Sequence, residues 1–184
     1  PSIEYRFGRA MDERRIFRMK YVLLLWIGFI SLSHAQEKYW TRSGTLTFEA
    51  SMPAFEEVKA SNENVTAILN SADGSFASLA LVKGFRFKNA LMEEHFNESY
   101  IESSRFPKAI FRGNIANFDG QNLNKSYTLT GTLELRGKTN PVAVEISIIK
   151  DGNDFNCSGE FTVSAADYEI DIPKIVRNKV SDEV

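Results

Sequence analysis

The sequence predicts an all-β fold, and three observations carry that prediction. Apolar and polar residues alternate with a period of two through one segment after another, and turn signals separate the segments. The apolar face is also unusually rich in phenylalanine, of which the chain holds 14. Alternation of this kind marks strands with one buried and one wet face, as in antiparallel sheets. Many such strands joined in succession make a closed barrel or a sandwich.

The front of the chain has another character. Tyr21 to Ile30 is a continuous apolar run behind Lys20, and Ser31 to Ala35 gives a small-residue exit. A charged start, an apolar core of about ten residues and small side chains before the cut form the layout of a secretory signal peptide. Bilayer spanning needs about 20 apolar residues, so this run is too short for it. Cleavage is expected after Ala35, which makes 19–35 the leader and 36–184 the domain. Residues 1–18 read as an upstream extension or fragment edge, with Met11 and Met19 as alternative starts. The domain is then expected to be exported to the periplasm, with no stable membrane insertion after cleavage.

Removing 35 of 184 residues leaves one domain's worth of chain. The removed part carries six of the 22 basic and three of the 24 acidic side chains, so the remainder has a formal charge of −5. That balance argues against nucleic acid or an anionic membrane as the main partner, since both select basic surfaces. The single Cys157 cannot form an internal disulfide, and by its alternation with Phe155 and Phe161 it is expected to pack in the core.

Along the domain, Leu46, Phe48 and Ala50 alternate with Thr45, Thr47 and Glu49. Further on, Tyr127, Leu129, Leu133 and Leu135 oppose Thr128, Thr130, Thr132 and Glu134. Val142, Val144, Ile146 and Ile148 oppose Ala143, Glu145 and Ser147, and Phe155, Cys157, Phe161 and Val163 oppose Asn156, Ser158, Glu160 and Thr162. Turns are expected at Asp73-Gly74, Asp119-Gly120, Gly137 to Pro141 and Asp151-Gly152. The stretch from Ala90 to Ser99 breaks the pattern: Leu91, Met92 and Phe96 recur at near-helical spacing, which predicts a short helix laying its apolar stripe across the sheet. Pro107 ends that excursion and restarts extended chain.

The excursion lies in the segment LMEEHFNESYIESSRFPKAIFRG, Leu91 to Gly113, which resembles the signature of the YceI-like family: a His-Phe pair (His95, Phe96), an aromatic-Pro turn (Phe106, Pro107), then a strand from Ala109. The resemblance continues through VTAILN at 65–70, GFRFKNALM, GTLELRGKTNPV and the closing DYEIDIP. It implies an extended antiparallel β-barrel of about eight strands, lipocalin-like, with the helical excursion near residues 90–100 and an elongated apolar tunnel. It also implies a long isoprenoid ligand, a polyprenyl lipid or isoprenoid quinone, and no other cofactor.

For such a ligand the lining is expected from inward apolar positions: Phe48, Phe85, Phe87, Phe111, Leu129, Leu133, Val144, Ile146 and Phe161. A one-residue slip of register would turn a whole strand's choices outward. Polar groups near the excursion, His95, Asn97, Arg105 and Lys108, are the candidates for the ligand's head group. Arg105 and Lys108 would suit a pyrophosphate, whereas a quinone needs only neutral donors.

No catalytic residue and no metal site is expected. His95 is the domain's single histidine, and its spacing to Glu93, Glu94 and Glu98 matches neither HExxH nor another metal motif. The competing readings are an envelope or stress-related interaction module with a filled core, and a secreted enzyme using His95 and Glu98. Edge strands of an imperfectly closed barrel keep a homodimer open as an alternative.

Overall fold

The computed structural model describes residues 38–50, 58–120, 125–152 and 154–171. Chain contacts separate Pro1–Ala35 from Gln36–Val184, and all described residues belong to the second unit. The expected leader and upstream extension lie outside the described residues.

Eight antiparallel strands form a nearly closed barrel with one short helix, in keeping with the sequence. They are β1 (Lys38–Glu49), β2 (Lys59–Asn70), β3 (Ser75–Leu81), β4 (Arg86–Phe87), β5 (Lys108–Ile115), β6 (Lys125–Leu135), β7 (Lys138–Asp151) and β8 (Asp154–Glu160). The order is β1-β2-β3-β5-β6-β7-β8, and β4 pairs with β2. The helix α1 (Ala90–His95) precedes a π-type turn, Phe96–Tyr100.

Alternation sets the faces. One inward row runs Tyr39, Leu69, Phe76, Gly113, Gly131, Val142, and the next runs Thr41, Ala67, Ser78, Phe111, Leu133, Asn140, each residue paired with its neighbour in the row. Gly113 and Gly131 lie face to face because a Cβ on either would run into backbone of the adjoining strand, at Thr130 O and Arg112 O. Inward side chains gather in two clusters. The first joins Leu69, Phe111, Ile115, Tyr127, Leu129, Val144, Ile146 and Ile148. The second joins Ala60, Val65, Ala80, Phe85 and Ala109, with Phe48, Phe87, Phe96 and Leu135 packed against it. Asn62, 1% exposed, sits among them with both ends satisfied: Nδ2 donates to the Leu81 carbonyl (2.9 Å) and Oδ1 accepts from the Asn64 N–H (2.9 Å). Buried amides are tolerated on that condition.

Three expectations need correction. The turn placed at Gly137 to Pro141 is only Arg136-Gly137, with φ of 51° and 73°, and Pro141 lies inside β7 opposite Thr132. A two-residue hairpin with both central residues left-handed matches the strand twist, so the ladder can begin at once. Cys157 is exposed, although it pairs with the fully buried Ile148. The reason is position: β8 ends the sheet, and among the described residues its ladder has a partner only on the β7 side. Its neighbours still desolvate the sulfur enough to push the thiol above its ordinary value. Finally, the expected helix through Ser99 is α-helical only to His95, and Leu91 is 58% exposed instead of joining the apolar stripe.

β1 departs from simple alternation, with register shifts between Thr41 and Gly44 and between Gly44 and Leu46. Between β1 and β8 the rings of Tyr39 and Phe155 meet, with centroids 4.0 Å apart.

Candidate functional site

Side-chain hydrogen bonds fasten the excursion around the phenylalanine it inserts. Asn89 caps α1 by accepting from the Leu91 N–H at 2.9 Å, the ordinary use of Asn at a helix start. Glu93 takes Arg86 Nη1 at 2.9 Å and the Phe87 N–H at 3.2 Å, tying α1 to β4. Asn97 Nδ2 donates to the Glu93 carbonyl at 2.8 Å. Held by these bonds, Phe96 enters a cluster of four phenylalanines: it stacks on Phe48 (5.2 Å, 27°) and meets Phe87 at 5.1 Å and Phe85 at 5.9 Å. Phe48 meets Phe85 and Phe87 edge-on at 5.3 and 5.7 Å. Offset and edge-to-face contacts of this kind add to the area term.

All nine apolar residues expected at the lining face inward. Phe48, Phe85 and Phe87 belong to the cluster under the excursion. Phe111, Leu129, Leu133, Val144, Ile146 and Phe161 belong to the other. Along one wall the intervening positions are small, Thr41, Ala67 and Ser78, and the row continues into the bulkier Phe111 and Leu133. The inward side chains are therefore bulky at each cluster and small on one side between them.

The four polar candidates are not brought together. His95 is exposed. Arg105 is largely exposed, 3.6 Å from the Glu102 carboxylate and over the Phe106 ring at 4.9 Å. Lys108 pairs across from Leu81 on the outer face, because its strand neighbour Ala109 takes the inner one. Asn97 differs: its Nδ2 is used, while Oδ1 is buried with no hydrogen-bond partner among the described residues.

Sequence reasoning missed a polar network beside the excursion. Arg136, at the β6–β7 hairpin tip, pairs with Glu102 and donates to the Glu169 carbonyl. Lys138 Nζ lies 2.7 Å from Glu169, which holds that carboxyl below its ordinary value, with Arg136 assisting. Asn140 Nδ2 donates to the Asp167 carbonyl at 2.7 Å. Tyr168 is 1% exposed, and burial, then the Asp167 charge, push its phenol up. The partners are far apart in sequence, and the one local signal was a Gly at a hairpin tip. Among the described residues no group of three or more His, Cys, Asp and Glu could hold a metal ion.

Comparison with known proteins places this geometry. The profile of a family described as the YceI-like domain matches residues 35–184. A UPF0312 protein of Enterobacter sp. (strain 638) is 30% identical over 112 residues, 60% of this chain and 47% of that protein. The YceI protein of Escherichia coli O17:K52:H18 is 29% identical over the same span. The chain thus spans about half the length of these relatives, 47% in each case. Among solved structures, Burkholderia cenocepacia BcnA superposes with a TM-score of 0.64 at 18% identity, over 76% of this chain and 90% of that one. A polyisoprenoid binding domain from Saccharophagus degradans superposes at 0.65 with 11% identity, over 80% and 92%. At these identities the structural likeness concerns the fold.

Proposed function

The chain belongs to the YceI-like domain family, and from that premise we propose that it is an exported, non-enzymatic carrier that encloses a long isoprenoid, a polyprenyl lipid or an isoprenoid quinone, inside its barrel. The observation that carries this reading is the inner surface. Nine inward apolar residues span both clusters, a row of small side chains, Thr41, Ala67 and Ser78, lies between them, and a tethered helix brings Phe96 over one end. The likeness to a polyisoprenoid binding domain supports the same ligand class.

The mechanism is partition. Each buried CH₂ contributes about 0.8 kcal/mol, so a long isoprenoid gains far more from its tail than from its head. The head then sets orientation only. Of the four polar candidates, Asn97 supports that role best, because a ligand hydroxyl could donate to its unpaired Oδ1. Arg105 and Lys108, spent on Glu102 and on the outer face, give a pyrophosphate less support. Export by a leader at 19–35 belongs to the same proposal.

Native mass spectrometry of detergent-free protein, followed by solvent extraction and lipid identification, tests it. A stoichiometric adduct of isoprenoid mass is expected. Protein that stays apo after incubation with polyprenyl lipids and quinones would refute the carrier reading in favour of a filled interaction module.

A further inference from the structure

The outer face of the barrel is not uniformly polar. Trp40 is 66% exposed and pairs across β1–β2 with Ile68, itself 45% exposed. Ile68 pairs with Ala77, one row along Leu79 pairs with Ile110, and at the next outward position of β3 stands Leu81, 53% exposed. These side chains share one face because period two puts Trp40, Ile68, Ala77, Leu79 and Leu81 opposite the inward set. Leu91 and Ile149, the other exposed large apolar residues described, stand outside these rows. Scattered singles are ordinary on a protein surface, but an apolar cluster marks a surface that meets something.

The cations around the cluster say what. Arg42, two residues along on the same face of β1, lies over the Trp40 ring, 5.4 Å from its centroid. Lys108 pairs with Leu81, and Arg112 pairs with Ala77. The carboxylate in the same rows, Glu134, stands 3.9 Å from Arg112. A tryptophan, aliphatic side chains and interleaved Arg and Lys are what the boundary between headgroups and acyl chains favours: the indole sits at the headgroup level while the cations meet phosphates.

We propose that this face of β1, β2, β3 and β5 docks on the surface of an anionic phospholipid membrane, lying on it without spanning it. The domain's formal charge of −5 opposes approach from a distance. At contact that repulsion is screened beyond about 8–10 Å, and the local cations decide. The inference stands on the outer face and does not depend on what the interior holds.

The test uses the full chain carrying Trp26→Phe, so that Trp40 is its sole tryptophan. Vesicles of phosphatidylcholine with phosphatidylglycerol should shift Trp40 emission to the blue, and brominated acyl chains should quench it. Affinity for vesicles of phosphatidylcholine alone should be on the order of tenfold weaker. Ile68→Thr with Leu81→Thr, both compatible with strands, should reduce quenching severalfold, and Arg42→Glu with Lys108→Glu should abolish the preference for anionic lipid. Trp40 emission that ignores vesicles and bromolipid overturns the proposal. So does emission that shifts with protein concentration in the absence of lipid, which would assign the face to a second copy of the chain. Quenching left unchanged by Ile68→Thr with Leu81→Thr would assign the binding to the Tyr21–Ile30 run and overturn the proposal, and the lipid adduct seen by mass spectrometry reports separately on the interior.

Discussion

The guanidinium of Arg136 donates to the carboxylate of Glu102, 34 residues earlier, and the two share a left-handed backbone, with φ of 51° and 53°. Glu169, whose carbonyl also accepts from Arg136, has φ of 54°. Such conformations are costly for residues with a Cβ and persist where surrounding bonds hold them. One side chain thus ties the loop after the helix, the β6–β7 hairpin and the turn at 165–168 together.

Removing that tie should loosen all three. Arg136→Met is expected to cost about 2 kcal/mol, the scale of losing hydrogen bonds to a charged group, with Tm lower by about 4–8 °C. Urea unfolding monitored by far-UV circular dichroism measures it. An unchanged midpoint would mean the network follows the backbone instead of holding it.

Gly137 carries two demands. Its φ is 73°, and a Cβ would lie 2.8 Å from Phe106 Cε1. Gly137→Ala should therefore destabilise by about 1–2 kcal/mol. In a Phe106→Ala background the steric part vanishes and the cost should fall. Equal costs in the two backgrounds would attribute the whole effect to the backbone.

Leu133 lies inward between Phe111 and Asn140. On the carrier reading, Leu133→Trp fills interior volume that the ligand would use, so lipid uptake should drop while the ladder survives. Uptake measured by extraction from folded protein checks this, and a normal yield of lipid would remove Leu133 from the lining.

Acid should act on Glu169. Its folded value is lowered below the ordinary 4.5, first by the Lys138 hydrogen bond and then by that residue's charge. A depressed carboxyl stabilises fully above the unfolded value and loses the contribution as pH falls through the folded one. A carboxyl NMR titration should place the Glu169 midpoint below 4.5, and Lys138→Met should return it toward 4.5.

Cys157 should be accessible yet slow. Desolvation raises its thiol above the ordinary 9.0, and the thiolate is the nucleophile. Alkylation by iodoacetamide should keep accelerating past pH 9, and a plateau below that pH would contradict the raised value.

The faces of β6 and β7 were legible because period two is local: Leu129, Leu133, Val144 and Ile146 follow from neighbours in the chain, and the ladder between those strands runs without a register shift. The shifts in β1 were not, since nothing in its alternation marks where the register slips. Leu91 obeyed helical spacing but stayed exposed, because Phe96, inserted by the bonds to Glu93, already occupies the end of the barrel. The aromatic-Pro turn was reached by resemblance, and Asn97 by its place beside the excursion. The Arg136 network was invisible because nothing local pairs an arginine with a glutamate in a distant loop, and Cys157 was misjudged because its alternation is right while its strand lies at the end of the sheet.

Leu81 and Lys108 pair directly, so everything from Val82 to Pro107, helix and aromatic-Pro turn included, is topologically the loop of a single hairpin. Closing a loop costs little more as it lengthens, about 0.6 kcal/mol for each doubling. Changes of length there leave the register of β3 and β5 untouched provided they keep the β4 pairing with β2 and the buried Val82, Phe85 and Ile101. On the carrier reading, descendants of such a chain can exchange the cap on one end of the barrel while inheriting the barrel itself, which lets selectivity diverge faster than architecture.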